Sequence, residues 1–370
     1  MSITSTGKKK DGLVVYRVRV TKDGKRVERR VAGYAEAKRV EQELLGAPVG
    51  LTFEELAKIW MDYRKDNVRP TTYQSENYML NRYILPYFKN QPAELSVQAL
   101  AKWQSAINGL GLAIKTKKTI FRPFSTMLNY GVRMELIQKN NLHVLGNFRD
   151  TGVVVKEKVR YYTVDQFWQF MAALPLKKYC DHRVYSFFLL AFFTGARRGE
   201  LNALKWTDLS GDVLHIRRSI AQHVNGLPFM ETAPKSKNSC RDIRIPQFVL
   251  DYLSKWRSLQ EAMPGFSEDW RICGGETFIQ DCQLIAVDKK TAAKAGLPHI
   301  TVHEFRHSHA SLLINGGVNI KEISRRLGHA SVDITWNVYA HLYPSQEEAS
   351  LQVLNGAQTG QNWGRAFPEA

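Results

Sequence analysis

The stretch His303-Glu304-Phe305-Arg306-His307 decides how the C-terminal half of the chain is interpreted. It matches H-E-x-x-H, a pattern in which two histidines four residues apart on a helix bind zinc. The same stretch sets His303 and Arg306 three residues apart on one helical face, where an imidazole and a guanidinium suit a phosphate. Zinc would need a further ligand, and Arg306 would put a cation beside the metal. The sequence favours a phosphate site, with a zinc peptidase as the alternative.

A second stretch, Thr194-Gly-Ala-Arg-Arg-Gly-Glu-Leu201, lies about one hundred residues earlier. Its glycine turn predicts that Arg197 stands at the start of a helix, where a guanidinium and the free backbone N–H groups together can bind an anion. Taken alone, such an arginine is more often a partner in a structural salt bridge.

Two further stretches complete the set. Pro234-Lys235-Ser236-Lys237 predicts a hairpin tip between strands near 212–219 and 240–246. Leu327-Gly328-His329 is followed ten residues later by Tyr339. Taken singly, these features have ordinary explanations: the first stretch as a solvated turn, Leu327-Gly328-His329 as a helix end, and Tyr339 as a core tyrosine.

In their order along the chain (TGxRxxEL, the hairpin lysine, HxxR, then LGH and the late tyrosine), the stretches resemble the catalytic domain of the tyrosine recombinases, the phage integrase family, over about residues 160–345. The resemblance implies an α+β, mainly helical chain with a small N-terminal β-sheet arm-binding domain, a helical core-binding domain of SAM-like type and a mixed α/β catalytic domain. The expected boundaries are 1–46 for the arm-type domain (a three-stranded sheet plus helix), 50–150 for the core-binding domain, 160–348 for the catalytic domain and 349–370 for a C-terminal tail.

The resemblance implies a role for each matching residue. Two arginines clamp the scissile phosphate, a hairpin lysine protonates the leaving 5′ oxygen, the first histidine accepts the tyrosine proton, the second aids the arginines, and a glutamate orients the network. In that order these residues are Arg197 and Arg306, Lys235, His303, His329 and Glu200, with Tyr339 as the nucleophile. The neighbouring Arg198, Lys237 and Tyr343 are the alternatives to Arg197, Lys235 and Tyr339.

The implied reaction is site-specific DNA recombination through a 3′-phosphotyrosine link and a Holliday junction. It needs no metal or other cofactor, and the expected assembly is a homotetramer on two DNA duplexes, with an excisionase or a host DNA-bending protein as possible partners. A type IB topoisomerase and a non-catalytic DNA-binding regulator are the alternatives. The element, a phage or a conjugative transposon, stays open.

The charge of the chain points to double-stranded DNA as its partner. The 370 residues contain 52 Lys and Arg against 35 Asp and Glu, a net charge of +17. Period-two alternation from Leu13 to Val20, a turn at Asp23-Gly24 and a returning strand over 25–32 predict a sheet with one apolar and one basic face. Such a basic face can neutralise phosphates. The expected DNA contacts there are Arg17, Arg19, Lys25 and Arg26.

Residues 50–150 show helical patterns. Thr52-x-x-Glu55 forms a capping box, and further helices are expected at about 71–88, 96–109 and 114–136, with Pro123 kinking or interrupting the last. The interspersed cations Lys115, Lys117 and Lys118 are the DNA-contact candidates of this region.

Other classes of protein are disfavoured. The most apolar stretch, 184–193, is too short to span a bilayer, and the N-terminus has no apolar segment of a signal peptide. The four cysteines form no C-x-x-C pair and are expected to be reduced thiols, so the expected location is the cytoplasm.

Overall fold

The computed structural model describes residues 2–10, 13–22, 25–33, 51–149, 159–224, 226–232 and 240–342, with single helical residues at 37, 40, 44, 347, 350, 351 and 354. The chain divides into two compact units, residues 1–155 and 156–370. Across these described segments, no helix combines the length and apolar character needed to cross a bilayer. All four cysteines are free thiols, and only Cys273 is buried.

The first unit begins with an antiparallel sheet in the order β1-β2-β3, formed by Ser2–Lys10, Leu13–Lys22 and Lys25–Ala32. Because side chains alternate along a strand, Val18 and Val20 share one face, and they pack with Ala37 and Val40 of a helical segment. The predicted strands are confirmed. Arg17 and Arg19 lie on the other face, opposite Arg30 and Glu28, but Arg29 stands opposite Val18, so the face predicted to be apolar also contains one arginine.

The rest of the first unit is a helical bundle with a separate core that includes Trp60, Trp103 and Phe124. The predicted capping box is present: the Glu55 amide donates to the Thr52 side chain, and the Glu55 carboxylate accepts from the Thr52 amide. Pro123 lies inside one continuous helix and does not interrupt it. The helices are α1 Phe53–Asn67, α2 Pro70–Tyr83, α3 Leu85–Phe88, α4 Val97–Gly109, α5 Ile114–Arg133 and α6 Leu142–Leu145.

The second unit is mainly helical, with two small sheets. Its strands are β4 Leu209–Ser210, β5 Val213–Ile216, β6 Ser219–Val224, β7 Leu227–Thr232 and β8 Arg241–Arg244. Its helices are α7 Val164–Ala173, α8 Tyr179–Thr194, α9 Arg198–Ala203, α10 Gln247–Glu261, α11 Asp281–Lys294, α12 Val302–Asn315, α13 Ile320–Leu327 and α14 Val332–Tyr339.

The strand pairing differs in one respect from the prediction of a single hairpin around Lys235. Strand β5 does pair with β8, as expected, but β6 and β7 form their own two-stranded hairpin between them. The segment that contains Lys235 therefore connects strands of two different sheets. Residues 233–239 lie outside the described residues.

The core of the second unit is rich in phenylalanine. Phe188 of α8 packs against Phe305 of α12, with ring centroids 5.0 Å apart. Helix α8 ends at Gly195, which has a left-handed φ of +63°. A Cβ atom built on Gly195 would lie 2.6 Å from Cδ2 of His309 and 2.9 Å from Cδ2 of Leu327. The end of α8 is thus held by both backbone conformation and close packing.

Gly195→Ala should destabilise the second unit strongly, because it combines left-handed strain of about 1–2 kcal/mol with overpacking of about 1–3 kcal/mol. Gly211→Ala is the matched control: Gly211 also has a left-handed φ, +58°, but a Cβ there would meet nothing within 4 Å. Urea unfolding followed by tryptophan fluorescence measures both losses. Equal losses for the two variants would contradict the packing argument.

A buried histidine stands beside this turn. His309 of α12 is only 2% exposed, and its Nδ1 lies 2.8 Å from the carbonyl oxygen of Phe192, to which it donates. Burial, reinforced by the nearby Arg326, lowers the pKa of His309 to about 3. His309 is therefore neutral in the folded protein at neutral pH.

The folded protein should lose stability in mild acid. In the unfolded chain, His309 has a pKa of about 6.5; its folded pKa is lower, so its contribution is complete above pH 6.5 and declines as the pH falls toward the folded value. We expect a loss of about 2 kcal/mol from this group between pH 7.5 and 5. Urea midpoints at both pH values measure it. His309→Asn should weaken the dependence, whereas replacement of the exposed His341 should not; equal dependence in both would exclude His309 as the cause.

Candidate active site

Arg197 is held at the turn between α8 and α9. Its Nη1 donates to Oε1 of Glu200 at 2.8 Å, and its Nη2 donates to the carbonyl oxygen of Gly328 at 3.0 Å. Its side chain remains 38% exposed, so part of the guanidinium can meet a ligand. Helix α9 has only six residues, and the anion-binding capacity lies in the guanidinium rather than in a helix N-terminus.

Glu200 is the buried carboxylate that fixes this arginine. It also accepts from Nη2 of Arg241 at 2.8 Å, and both side chains of this second pair are almost fully buried. Burial opposes ionisation of Glu200, but the charges of Arg241 and Arg197 and their hydrogen bonds outweigh it, so its pKa is lowered. The carboxylate therefore stays charged and keeps both guanidinium groups in position.

The sequence analysis missed Arg241. Besides Glu200, it contacts the carbonyl oxygen of Arg326 through Nε at 2.6 Å, so it joins β8 to α13. The available signal was the alternation of Arg241 with Ile243 and Ile245 in the sequence. In the structure Arg241 and Ile243 are the buried residues of β8, and a buried arginine requires a partner for its charge.

Arg306 stands on α12 and is 3% exposed. Its Nη1 donates to the carbonyl oxygen of Gly195 at 2.8 Å, while its buried Nη2 has no hydrogen-bond partner among the described residues. Burial and the neighbouring Arg197 and Arg241 lower its pKa to about 9. An unpaired buried donor costs about 1–3 kcal/mol, so this guanidinium is well suited to receive an anion.

Three histidines surround the arginines. His329 follows α13, which ends at the left-handed Gly328, and its Nδ1 lies 2.7 Å from Oγ1 of the buried Thr335. Burial, then the charge of Arg306, lowers the pKa of His329 to about 4. Partial burial of its ring, then the charge of Arg306, also lowers the pKa of His303, which is the most exposed of the three histidines. Both imidazoles are thus favoured in the neutral form.

Tyr339 is the last residue of α14 and is 1% exposed. Its hydroxyl lies 2.5 Å from Nδ1 of His307, the third histidine. Burial raises the pKa of Tyr339 to about 12 against the opposing charge of Arg306. The sequence analysis considered His307 only as a zinc ligand and missed this contact, because α12 and α14 meet only in the folded chain.

The alternatives to the predicted residues fare differently. Arg198 forms an ion pair with Asp281 at 2.8 Å, whereas Arg197 forms one with Glu200, so the two neighbouring arginines have different partners. Lys235, Lys237 and Tyr343 lie outside the described residues. Within the described ranges no group of three His, Cys, Asp or Glu side chains could hold a metal, so nothing there completes a zinc site with His303 and His307.

The candidate DNA contacts of the first unit lie on two elements. In the sheet, Glu28 interrupts the expected basic face: its carboxylate lies 3.1 Å from Nε of Arg17 and 2.8 Å from Nε of Arg19. Arg26 is exposed on the same face, paired with Thr21, and Lys25 begins β3. The other element is the first turn of α5, which contains Lys115, Lys117 and Lys118. Of these three, the half-buried Lys117 donates to Oδ1 of Asn108 at 3.2 Å.

Comparison with known families covers both units. Residues 160–346 match the sequence profile described as the phage integrase family, and residues 52–107 match the phage integrase N-terminal SAM-like domain. The chain is 28% identical over 316 residues to the ICEBs1 integrase of Bacillus subtilis, covering 82% of this chain and 83% of that protein.

Solved structures share the fold. One is the Tn1549 transposon integrase in complex with transposon right end DNA (TM-score 0.64, 19% identity, 82% of this chain and 99% of that one). Another is a lambda integrase dimer bound to a core site (TM-score 0.60, 15% identity, 78% and 95%). These similarities support the mainly helical α+β fold, and the profile match spans just over half of the chain. The protein belongs to the phage integrase family, the tyrosine recombinases, and is an enzyme that cleaves and rejoins DNA.

Proposed function

We propose that this chain integrates and excises a mobile element by cutting specific DNA sites with Tyr339. The observation that supports the proposal is the position of the buried Tyr339 hydroxyl close to Arg306. The charge of Arg306 acts to lower the pKa of Tyr339, and the same arginine has an unpaired buried N–H. The ICEBs1 and Tn1549 relatives favour a conjugative element or prophage as the source of the DNA. In a bacterial cell, such chromosomal or element DNA lies in the cytoplasm.

The arginine pair would hold the scissile phosphate. Attack on a phosphodiester concentrates negative charge on the two non-bridging oxygens, and guanidinium groups fixed in advance stabilise that charge. Arg197 keeps an exposed edge and Arg306 an unpaired Nη2 for this purpose. His329, held by Thr335, would add a further donor. Loss of either arginine is expected to cost about 2.7–4 kcal/mol of barrier, as for one oxyanion donor.

The proposed cleavage step balances without a metal or other cofactor. The hydroxyl proton of Tyr339 passes to a neighbouring histidine as the Tyr339 oxygen forms a bond to phosphorus, the bond to the 5′ oxygen breaks, and Lys235 supplies the proton that the leaving oxygen takes up. The product is a 3′-phosphotyrosine link that conserves the energy of the phosphodiester. A 5′ hydroxyl from a partner duplex reverses the step, returns the proton and joins new strands through a Holliday junction.

The proposed assembly is a homotetramer on two double-stranded DNA sites. The core sites would be bound by residues 50–150 and 160–348, and a second, arm-type site by residues 1–46. An excisionase or a host DNA-bending protein would bias the direction. The basic sheet face and the first turn of α5 are the surfaces that support these contacts.

Tyr339→Phe should abolish formation of the covalent protein–DNA adduct and leave specific DNA binding nearly unchanged, because only the nucleophilic oxygen is removed. The assay incubates each protein in EDTA with nicked duplexes that carry the ends of its element, then denatures the sample and resolves it on a gel. Tyr343→Phe is the matched control and should form the adduct. Adduct formation by the Tyr339→Phe protein would exclude Tyr339 as the nucleophile.

In the full chain, replacing Arg17 and Arg19 together with Gln should weaken binding to an arm-type site and leave cleavage of simple core substrates unchanged. If each contacts one phosphate, the slope of log affinity against log salt should fall by about 2. Glu28→Gln should act oppositely, because it frees both arginines from their ion pairs. Unchanged salt dependence in both variants would remove the sheet from the DNA interface.

A further inference from the structure

The contact between His307 and Tyr339 has a chemical consequence for the reacting oxygen. The 2.5 Å distance joins Nδ1 of His307 to the Tyr339 hydroxyl, and the rings cross at 63° with centroids 5.5 Å apart. Because the pKa of Tyr339 is raised to about 12, the hydroxyl keeps its proton at neutral pH. We assign this proton as the donor to Nδ1 of His307, which places the imidazole proton on Nε2.

His307 is also kept neutral. Burial lowers its pKa to about 4, and the nearby His303 acts in the same direction. A general base must be unprotonated and within hydrogen-bond reach of the proton that it removes, up to about 3.2 Å. His307 meets both conditions for the Tyr339 hydroxyl.

We propose that His307, rather than His303, is the immediate proton acceptor when Tyr339 attacks the scissile phosphate. This inference rests on the proposed role of Tyr339 as nucleophile. As the Oη–P bond forms and the bond to the 5′ oxygen breaks, the hydroxyl proton moves to Nδ1 of His307. When the link is reversed, the same proton returns to Tyr339.

The surroundings of His307 fit this transfer. In the free protein the pKa of Tyr339 lies far above that of His307, so the proton stays on Tyr339. The nucleophile is therefore inactive without substrate. A phosphate bound at Arg306 adds negative charge close to His307, which favours its protonated form. His303 stands one turn earlier on α12, exposed, with its ring centroid 5.2 Å from that of His307. It is positioned to stabilise or pass on the proton rather than to remove it.

Two substitutions separate proton transfer from positioning. His307→Asn keeps an acceptor oxygen where Nδ1 stands but cannot take a proton at neutral pH. His307→Ala removes the acceptor and leaves space for free imidazole. For the full-length protein, we expect adduct formation on nicked duplexes to slow by about 100-fold or more in both variants. Added imidazole should restore part of the rate to the Ala variant, and DNA affinity should not change.

A substrate with sulfur in place of the bridging 5′ oxygen distinguishes protonation of the leaving group from removal of the proton of the nucleophile. A thiolate leaves without being protonated, because a thiol pKa is only about 8.5. Lys235→Ala should therefore recover on this substrate, whereas His307→Asn should stay slow.

Three results would overturn the inference. The first is a His307→Asn protein within about threefold of the unmodified chain, and the second is recovery of that variant on the sulfur substrate. The third is a His303→Ala protein that is equally slow and that imidazole restores, while imidazole fails to restore His307→Ala. If the unmodified chain forms no adduct at all, the proposed function itself fails. If the unmodified chain forms the adduct and the His307→Asn protein forms it at the same rate, the proposed function stands and only the role of His307 is excluded.

Discussion

The site depends on the buried carboxylate of Glu200, which holds two guanidinium groups at once. A charge removed from water is costly unless it is paired and fully hydrogen-bonded. Glu200 meets that condition by joining α9 to β8, while Arg241 extends the connection to the C-terminal end of α13. Three elements distant in the sequence are thereby fixed relative to one another before any substrate binds. Removing one partner would leave a buried charge uncompensated, so the cluster forms as a unit.

This rigid frame allows the reactive groups to have incomplete contacts. Arg306 retains an unpaired N–H, and Tyr339 retains its proton although Arg306 lies near it. The unpaired donor is unfavourable in the free protein and would be satisfied by an anion, whereas the protonated hydroxyl is the favoured form there. Stability supplied by the aromatic core around α8 and by the Glu200 cluster therefore offsets the cost of this unpaired donor.

Much of the fold follows from local sequence signals. The predicted capping box at Thr52 is present, since its partner Glu55 lies three residues away, and a second box with the same spacing begins α7 at Thr163. Pro123 shows the limit of local reasoning, because packing of α5 in the bundle keeps the helix continuous. The contact of His307 with Tyr339 joins residues 32 positions apart. No spacing rule could indicate it, whereas local spacing already pointed to Arg197 and to Arg306 with His303, and the motif resemblance added Glu200.

Both arginines of the proposed phosphate clamp are anchored to main-chain oxygens, those of Gly195 and Gly328, and both glycines have left-handed φ angles. A carbonyl oxygen is the same whichever side chain its residue carries. The clamp thus constrains backbone shape at two turns and leaves most of the surrounding helices free to vary. Substitutions elsewhere on these helices therefore need not disturb the main-chain oxygens on which the two arginines depend. In evolutionary terms, changes at these two glycines should be tolerated far less than changes at their exposed neighbours.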